Sequence, residues 1–168
     1  MNQNIHYIWV DTNQKLAEVC QNASQKPAVA LDTEFIRIRT YYPKLGLIQL
    51  FDGEQVSLID PTKIDDFAPF IELLANQQVV KVYMLAVKIL KSFNIVSNNY
   101  QHLWWIHNYG RLCRNWGFNG FAKLVAHYLQ IELDKGASRT DWLARPLSEE
   151  QLQYAAADVW YYYLFINA

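Results

Sequence analysis

Ala28-Val29-Ala30-Leu31-Asp32-Thr33-Glu34-Phe35 is the stretch on which the fold turns. Four apolar residues run into two carboxylates, the pattern of a buried strand that delivers acid at its end. In an extended chain side chains alternate faces, so Asp32 and Glu34, two apart, open on one pocket. Like charges at that spacing repel unless a cation stands between them. An isolated Asp-x-Glu more often marks a strand that ends in a polar turn, so the flanking chain has to decide.

Upstream, Tyr7–Val10 is a short β-like run, and Asp11 or Thr12 caps a helix reaching about Asn22, with Leu16, Val19 and Cys20 at helical spacing. Lys26-Pro27 breaks that helix. Downstream, Ile36–Lys44 carries Arg37, Arg39, Tyr41 and Tyr42 through a strand-to-turn segment that ends at Pro43. Leu47–Phe51 and Gln55–Ile59 flank Asp52-Gly53-Glu54, a hairpin signature, so at least three strands form an antiparallel set that Asp60-Pro61 closes. Phe67–Ala75 has helical spacing and Val79–Tyr83 reads as another strand. This β-β-β-α-β order predicts an α/β fold, a mixed sheet of three antiparallel strands plus parallel strands flanked by helices. The ribonuclease H-like fold shares that order.

Farther on, Phe118–Leu129 places Phe121, Leu124, Val125 and Tyr128 on one helical face. Asp134–Arg145 reads as a polar loop. Ser148-Glu149-Glu150-Gln151 is a capping box, in which the Ser hydroxyl takes one orphan amide and Gln151 returns the bond. In the helix it starts, Tyr154 and Asp158 lie four apart on one face. Ala155, Ala156 and Ala157 between them let that helix lie close to a sheet.

Composition sets the frame for this pattern. A chain of 168 residues, 52% hydrophobic, supports one domain with a core. A net charge of −1 supplies no global basic field, so a polyanion has to be held by local Lys and Arg or by bound metal. Cys20 and Cys113 fit neither a metal-ligand spacing nor a disulfide framework. The Met-Asn-Gln-Asn start has no basic head or apolar run, so a reduced, cytoplasmic protein is expected.

Three separated motifs now coincide in order: Leu31-Asp32-Thr33-Glu34-Phe35; Arg39-Thr40-Tyr41-Tyr42-Pro43 with Leu45-Gly46-Leu47-Ile48-Gln49-Leu50; and Ser138-Arg139-Thr140-Asp141-Trp142-Leu143-Ala144-Arg145-Pro146-Leu147 with Tyr154-Ala155-Ala156-Ala157-Asp158. Together they resemble the ribonuclease D family of bacterial DEDD-type 3′-5′ exonucleases, in the subgroup with a tyrosine in the third motif. The resemblance runs from about Ala28 to Tyr163. It implies an exonuclease domain over residues 1–168, two divalent cations (Mg²⁺ or Mn²⁺), and trimming of RNA 3′ ends, including tRNA precursors. Neither a membrane nor a protein partner is implied. Carried over, Asp32 binds both metals, Glu34 the nucleophile-side metal, and Asp158 completes the set, while Tyr154 orients or deprotonates the attacking water. Arg37, Arg39, Tyr41, Tyr42, Arg139 and Arg145 are candidates for holding phosphate and stacking bases. The family continues into C-terminal helical RNA-binding domains, and their absence after Ala168 implies a weaker grip on substrate.

One stretch departs from the family. Its second motif, approximately Lys-x-x-His-Ala-Gly-Ser-Glu-Asp-Leu, is replaced after Lys81-Val82-Tyr83 by Met84-Leu85-Ala86-Val87-Lys88-Ile89-Leu90, so Ile89 stands where the fourth carboxylate belongs. The family phrase written CAT GCT GGC AGT GAA GAT CTT GAA GTC TTT C, read from its second letter, gives Met-Leu-Ala-Val-Lys-Ile-Leu-Lys-Ser-Phe, which is Met84–Phe93. Likewise Trp104-Trp105-Ile106, TGG TGG AT, must give Val-Asp in the earlier frame, where the family has Asp-Thr-Gln. Single-base losses account for Met84 to Trp116, with frame regained by Gly117, and make His102 and His107 accidental. The sequence thus predicts a frameshifted ribonuclease D with impaired activity. The other readings are a catalytically dead RNA-binding module and a gene product with no function of its own.

Overall fold

A computed structural model describes residues 4–36, 44–83, 125–127, 130–132 and 136–166, with side chains as far as Leu164. Five strands pair in the order β1-β4-β3-β2-β5. They are β1 (Tyr7–Val10), β2 (Ala28–Ile36), β3 (Lys44–Phe51), β4 (Val56–Ile59) and β5 (Val80–Tyr83). β3 runs antiparallel to its two neighbours β2 and β4, whereas β1 joins β4 and β5 joins β2 in parallel. The mixed ribonuclease H-like sheet expected from the order of elements is therefore present.

Strand alternation divides the apolar residues between two cores. Val29 and Leu31 of β2, Ile48 and Leu50 of β3, Ile59 of β4 and Val10 of β1 face one side, against helices α1 (Asn13–Ala23) and α2 (Ala68–Ala75). Ala30, Leu47, Phe51, Val56 and Leu58 face the other, against Ala155, Ala156 and Val159 of a long helix α3 (Glu149–Ile166). Because Ala30 lies on the α3 side, β2 turns Asp32 and Glu34 toward α3 as well. Ala155 and Ala156 are fully buried there, which lets the helix backbone approach the strands.

Local chemistry sets the element ends. Of the two candidate caps for α1, Thr12 is the one used: its side chain accepts the Lys15 N–H at 3.2 Å. At the β3–β4 hairpin, Asp52 Oδ1 accepts the N–H groups of Glu54 and Gln55, and Gly53 adopts φ +94°, a conformation that disfavours a side chain. The capping box at α3 forms in both directions, Gln151 N–H to Ser148 Oγ at 3.2 Å and Ser148 N–H to Gln151 Oε1 at 2.9 Å.

The polar loop expected over Asp134–Arg145 is more structured than its composition implies. Residues Gly136–Arg139 form a 3₁₀ turn, and Trp142 is fully buried between β3 and α3. Gly46 makes room for it, since a Cβ there would lie 2.6 Å from the Trp142 carbonyl oxygen and 2.7 Å from its Cβ. Gln151 also donates to Thr140 Oγ1 and the Asp141 carbonyl, so one side chain caps α3 and fastens the preceding segment to it. Of the Phe118–Leu129 helix, only residues 125–127 are described, and they are helical. Met84–Trp116, Ile89 included, lies outside the described residues. Among the described residues no helix is long and apolar enough to cross a membrane.

Candidate active site

The first acid group sits on β2, between β3 and β5. Asp32 pairs in register with Gln49 of β3, and Glu34 with Leu47. Asp32 Oδ1 accepts the Thr33 N–H at 2.7 Å, and Gln49 Nε2 lies 3.5 Å from Glu34 Oε1. Both carboxylates are partly accessible, in contrast with the sealed residues Leu31 and Leu47 beside them.

The second group comes from α3. Asp158 is buried, and its carboxyl is held well above the usual carboxylate range, first by burial and then by the negative charges of Asp32 and Glu34, with a hydrogen bond from Tyr154 as the partial offset. Tyr154 is half-buried, and its phenol is pushed up by burial and by Asp158, Glu34 and Asp32 in that order. Two pairs of groups, far from each other in sequence, thus share one field across the seam between β2 and α3. Trp142 packs beside Tyr154 with ring centroids 6.1 Å apart, and so backs the tyrosine from inside.

Such a cluster of acids needs positive charge to ionise together. Carboxylate oxygens suit hard divalent cations, so the donors fit such an ion in kind. In number they fall short: among the described residues no group of three or more His, Cys, Asp or Glu side chains closes around one point. Tyr154 keeps its proton while the acids carry no cation.

The basic and aromatic candidates separate. Arg139 is exposed at the end of the 3₁₀ turn and free to meet solutes. Arg145 is committed elsewhere: Nε and Nη2 hold the two oxygens of Asp60 at 2.8 and 2.7 Å, Nη2 also donates to the Gly46 carbonyl, and Nη1 donates to the Trp142 and Ala144 carbonyls. All of its donors are used, so the geometry makes Arg145 a brace and leaves it nothing for phosphate. Arg37, Arg39, Tyr41 and Tyr42 lie outside the described residues.

Sequence reasoning passed over three residues here. Asp60 was read as the end of a hairpin, Trp142 as part of a loop, and Tyr162 not at all, although its hydroxyl donates to Asp32 Oδ2 at 3.2 Å. The spacing of Tyr154, Asp158 and Tyr162, four and four, was the available signal for the last.

β2, an inner strand of the mixed sheet, carries two acids toward a helical Tyr and Asp, and the chain belongs to the 3′-5′ exonuclease family, whose model matches residues 7–167. Within that class it is similar to ribonuclease D. The protein of that name from Haemophilus influenzae is 51% identical over 159 residues, covering 93% of this chain and 39% of that protein. The crystal structure of Escherichia coli RNase D, an exoribonuclease involved in structured RNA processing, superposes with a TM-score of 0.79 at 40% identity, covering 97% of this chain and 44% of that one. Brucella melitensis NrnC with bound Mg²⁺, 19% identical with a TM-score of 0.70 over 96% of this chain and 78% of that one, shares the fold alone. The chain spans about two fifths of the length of the curated relatives it matches.

Proposed function

We propose that this chain is the catalytic domain of a ribonuclease D-type exoribonuclease that removes nucleotides from RNA 3′ ends, tRNA precursors among them, with two divalent cations, Mg²⁺ or Mn²⁺. What supports it is that the β2 face with Asp32 and Glu34 is turned toward α3, where both acids raise the pKa of Tyr154 and Asp158. Such cations, when bound, would supply activation of water and charge stabilisation at the leaving oxygen. Asp32, Glu34 and Asp158 are the groups that would hold them, and positive charge there would favour the ionised form of Asp158. The Tyr154 hydroxyl, backed by Trp142, orients the attacking water. Arg139, with Arg37, Arg39, Tyr41 and Tyr42, meets phosphates and unpaired bases of the 3′ strand. A cytoplasmic location fits this work on RNA.

The polypeptide as written has little activity on this reading, because Ile89 occupies the place of the fourth carboxylate and the whole segment around it is frameshifted. The test is Mg²⁺-dependent shortening of a 5′-labelled tRNA precursor by the chain as written, by Ile89→Asp and by a version whose bases are restored across codons 82 to 117. Restoration is expected to return a ladder that shortens from the 3′ end. Ile89→Asp is expected to stay far below it, since a ligand misplaced by about 1 Å costs on the order of 10²-fold. A point variant equal to the restored chain overturns the segmental account. A restored chain that leaves 3′ ends intact overturns the exonuclease assignment.

A further inference from the structure

Tyr154, Asp158 and Tyr162 repeat at four-residue spacing along α3 and so share the helix face turned to β2. The first two belong to the carboxylate site. Tyr162 is 5% exposed, with its ring in the core beneath α3 and its hydroxyl donating to Asp32 Oδ2 at 3.2 Å. The other oxygen, Oδ1, accepts the Thr33 N–H at 2.7 Å. Asp32 is thus held at both oxygens, at Oδ1 from its own strand and at Oδ2 from the helix that carries Asp158. A carboxylate turns easily about its last torsion, but one held at both oxygens by two elements keeps a single plane.

We propose that Tyr162 is a positioning residue of this site, fixing through its hydroxyl the plane in which Asp32 offers its oxygens to a divalent cation. The inference rests on the reading of Asp32 as a cation ligand. It locks the strand acid to the helix acid, so the two parts of the site keep one spacing before any ion arrives. Partners that orient a ligating carboxylate typically contribute about 10–100-fold in metal affinity. A hydroxyl that merely occupied the cation's place has the opposite consequence, since its removal tightens binding.

The test is Mn²⁺ titration followed by the electron paramagnetic resonance signal of free Mn²⁺, on the parent chain, Tyr162→Phe, Tyr161→Phe and Asp32→Asn, each also melted without metal. Phenylalanine keeps the buried ring and removes only the hydroxyl, and Tyr161, equally buried on the next helix position, controls for general loss of a phenol. Tyr162→Phe is expected to raise the Kd for Mn²⁺ about 10-fold, with the melting temperature of Tyr161→Phe, whose Mn²⁺ affinity stays that of the parent. Tyr162→Phe binding as tightly as the parent, or more tightly, overturns the positioning role while an Asp32→Asn loss leaves the carboxylate site standing. Mn²⁺ binding indifferent to Asp32→Asn removes the site and the positioning role together.

Discussion

Arg145→Ala distinguishes a brace from a phosphate-binding arginine. The substitution strips Asp60, whose side chain is 2% exposed, of both guanidinium bonds, and frees three backbone carbonyls, those of Gly46, Trp142 and Ala144. Breaking a buried ion pair by removing one partner costs about 3–5 kcal/mol. Two features reduce that here: the Arg145 side chain is 22% exposed, and Asp60 keeps two bonds from Thr62, at 2.7 and 3.0 Å. The expected loss is about 2–4 kcal/mol, a large share of the roughly 5–15 kcal/mol that holds a domain folded. At about 2–4 °C per kcal/mol for a chain of this size, the melting temperature falls by about 4–16 °C. The effect is pH-dependent. Burial pushes the Asp60 carboxyl up, but the bonds from Arg145 and Thr62 outweigh it and hold the carboxyl below the usual range. A depressed native value means that the stabilisation is complete above the unfolded pKa and lost as pH falls through the native one. The gap between parent and variant therefore closes in acid. The assay is thermal melting over a pH series, paired with RNA affinity measured in Ca²⁺. RNA affinity per folded molecule is expected to be unchanged. A variant that melts with the parent yet binds RNA about tenfold more weakly refutes the brace and returns Arg145 to the substrate.

Gly46→Ala places a methyl carbon 2.6 to 2.9 Å from three atoms of Trp142, two of them backbone, so the clash cannot be relieved by a side-chain rotation. Overpacking of this kind costs about 1–3 kcal/mol, and calorimetry is expected to show a melting temperature lower by about 2–12 °C. Asp158→Asn acts in the other direction in the absence of divalent cation. The raised native pKa of Asp158 means that its contribution is full below the ordinary carboxylate pKa and lost as pH rises toward the native value. The asparagine variant, which has no charge to bury, is expected to melt above the parent at neutral pH and to lose that advantage in acid. Binding of Mn²⁺ by the parent alone reverses the order; a variant that melts below the parent at every pH without metal contradicts the buried-acid account.

Much of this protein is written in local pattern. Strand alternation in Ala28–Phe35 sends Val29 and Leu31 to one core and Ala30, with the acids after it, to the other, so the face that holds Asp32 and Glu34 follows from parity alone. Asp52-Gly53-Glu54 specifies its hairpin and Ser148 with Gln151 its helix start, because turns and caps are satisfied by residues two or three apart. Phe67–Ala75 and Val79–Tyr83 each lose one residue at the start in the structure, the usual uncertainty of an element end. What lay beyond the sequence depends on partners about 85 to 148 positions away. Nothing near Arg145 announces Asp60, so a guanidinium that reads as a phosphate ligand becomes a strut only when the β4 terminus arrives beside it. Trp142 sits among polar neighbours and looks like a loop residue until the missing side chain of Gly46 admits it to the core. Tyr162 reads as one of three consecutive tyrosines, and only the approach of α3 to β2 selects the one whose hydroxyl meets Asp32. The sequence by itself determines which side chains are available and which face they take, since periodicity is a local property of the backbone. Tertiary structure decides which charges find each other, because a charge or donor acquires its role from whatever distant group the packing brings within a few ångströms.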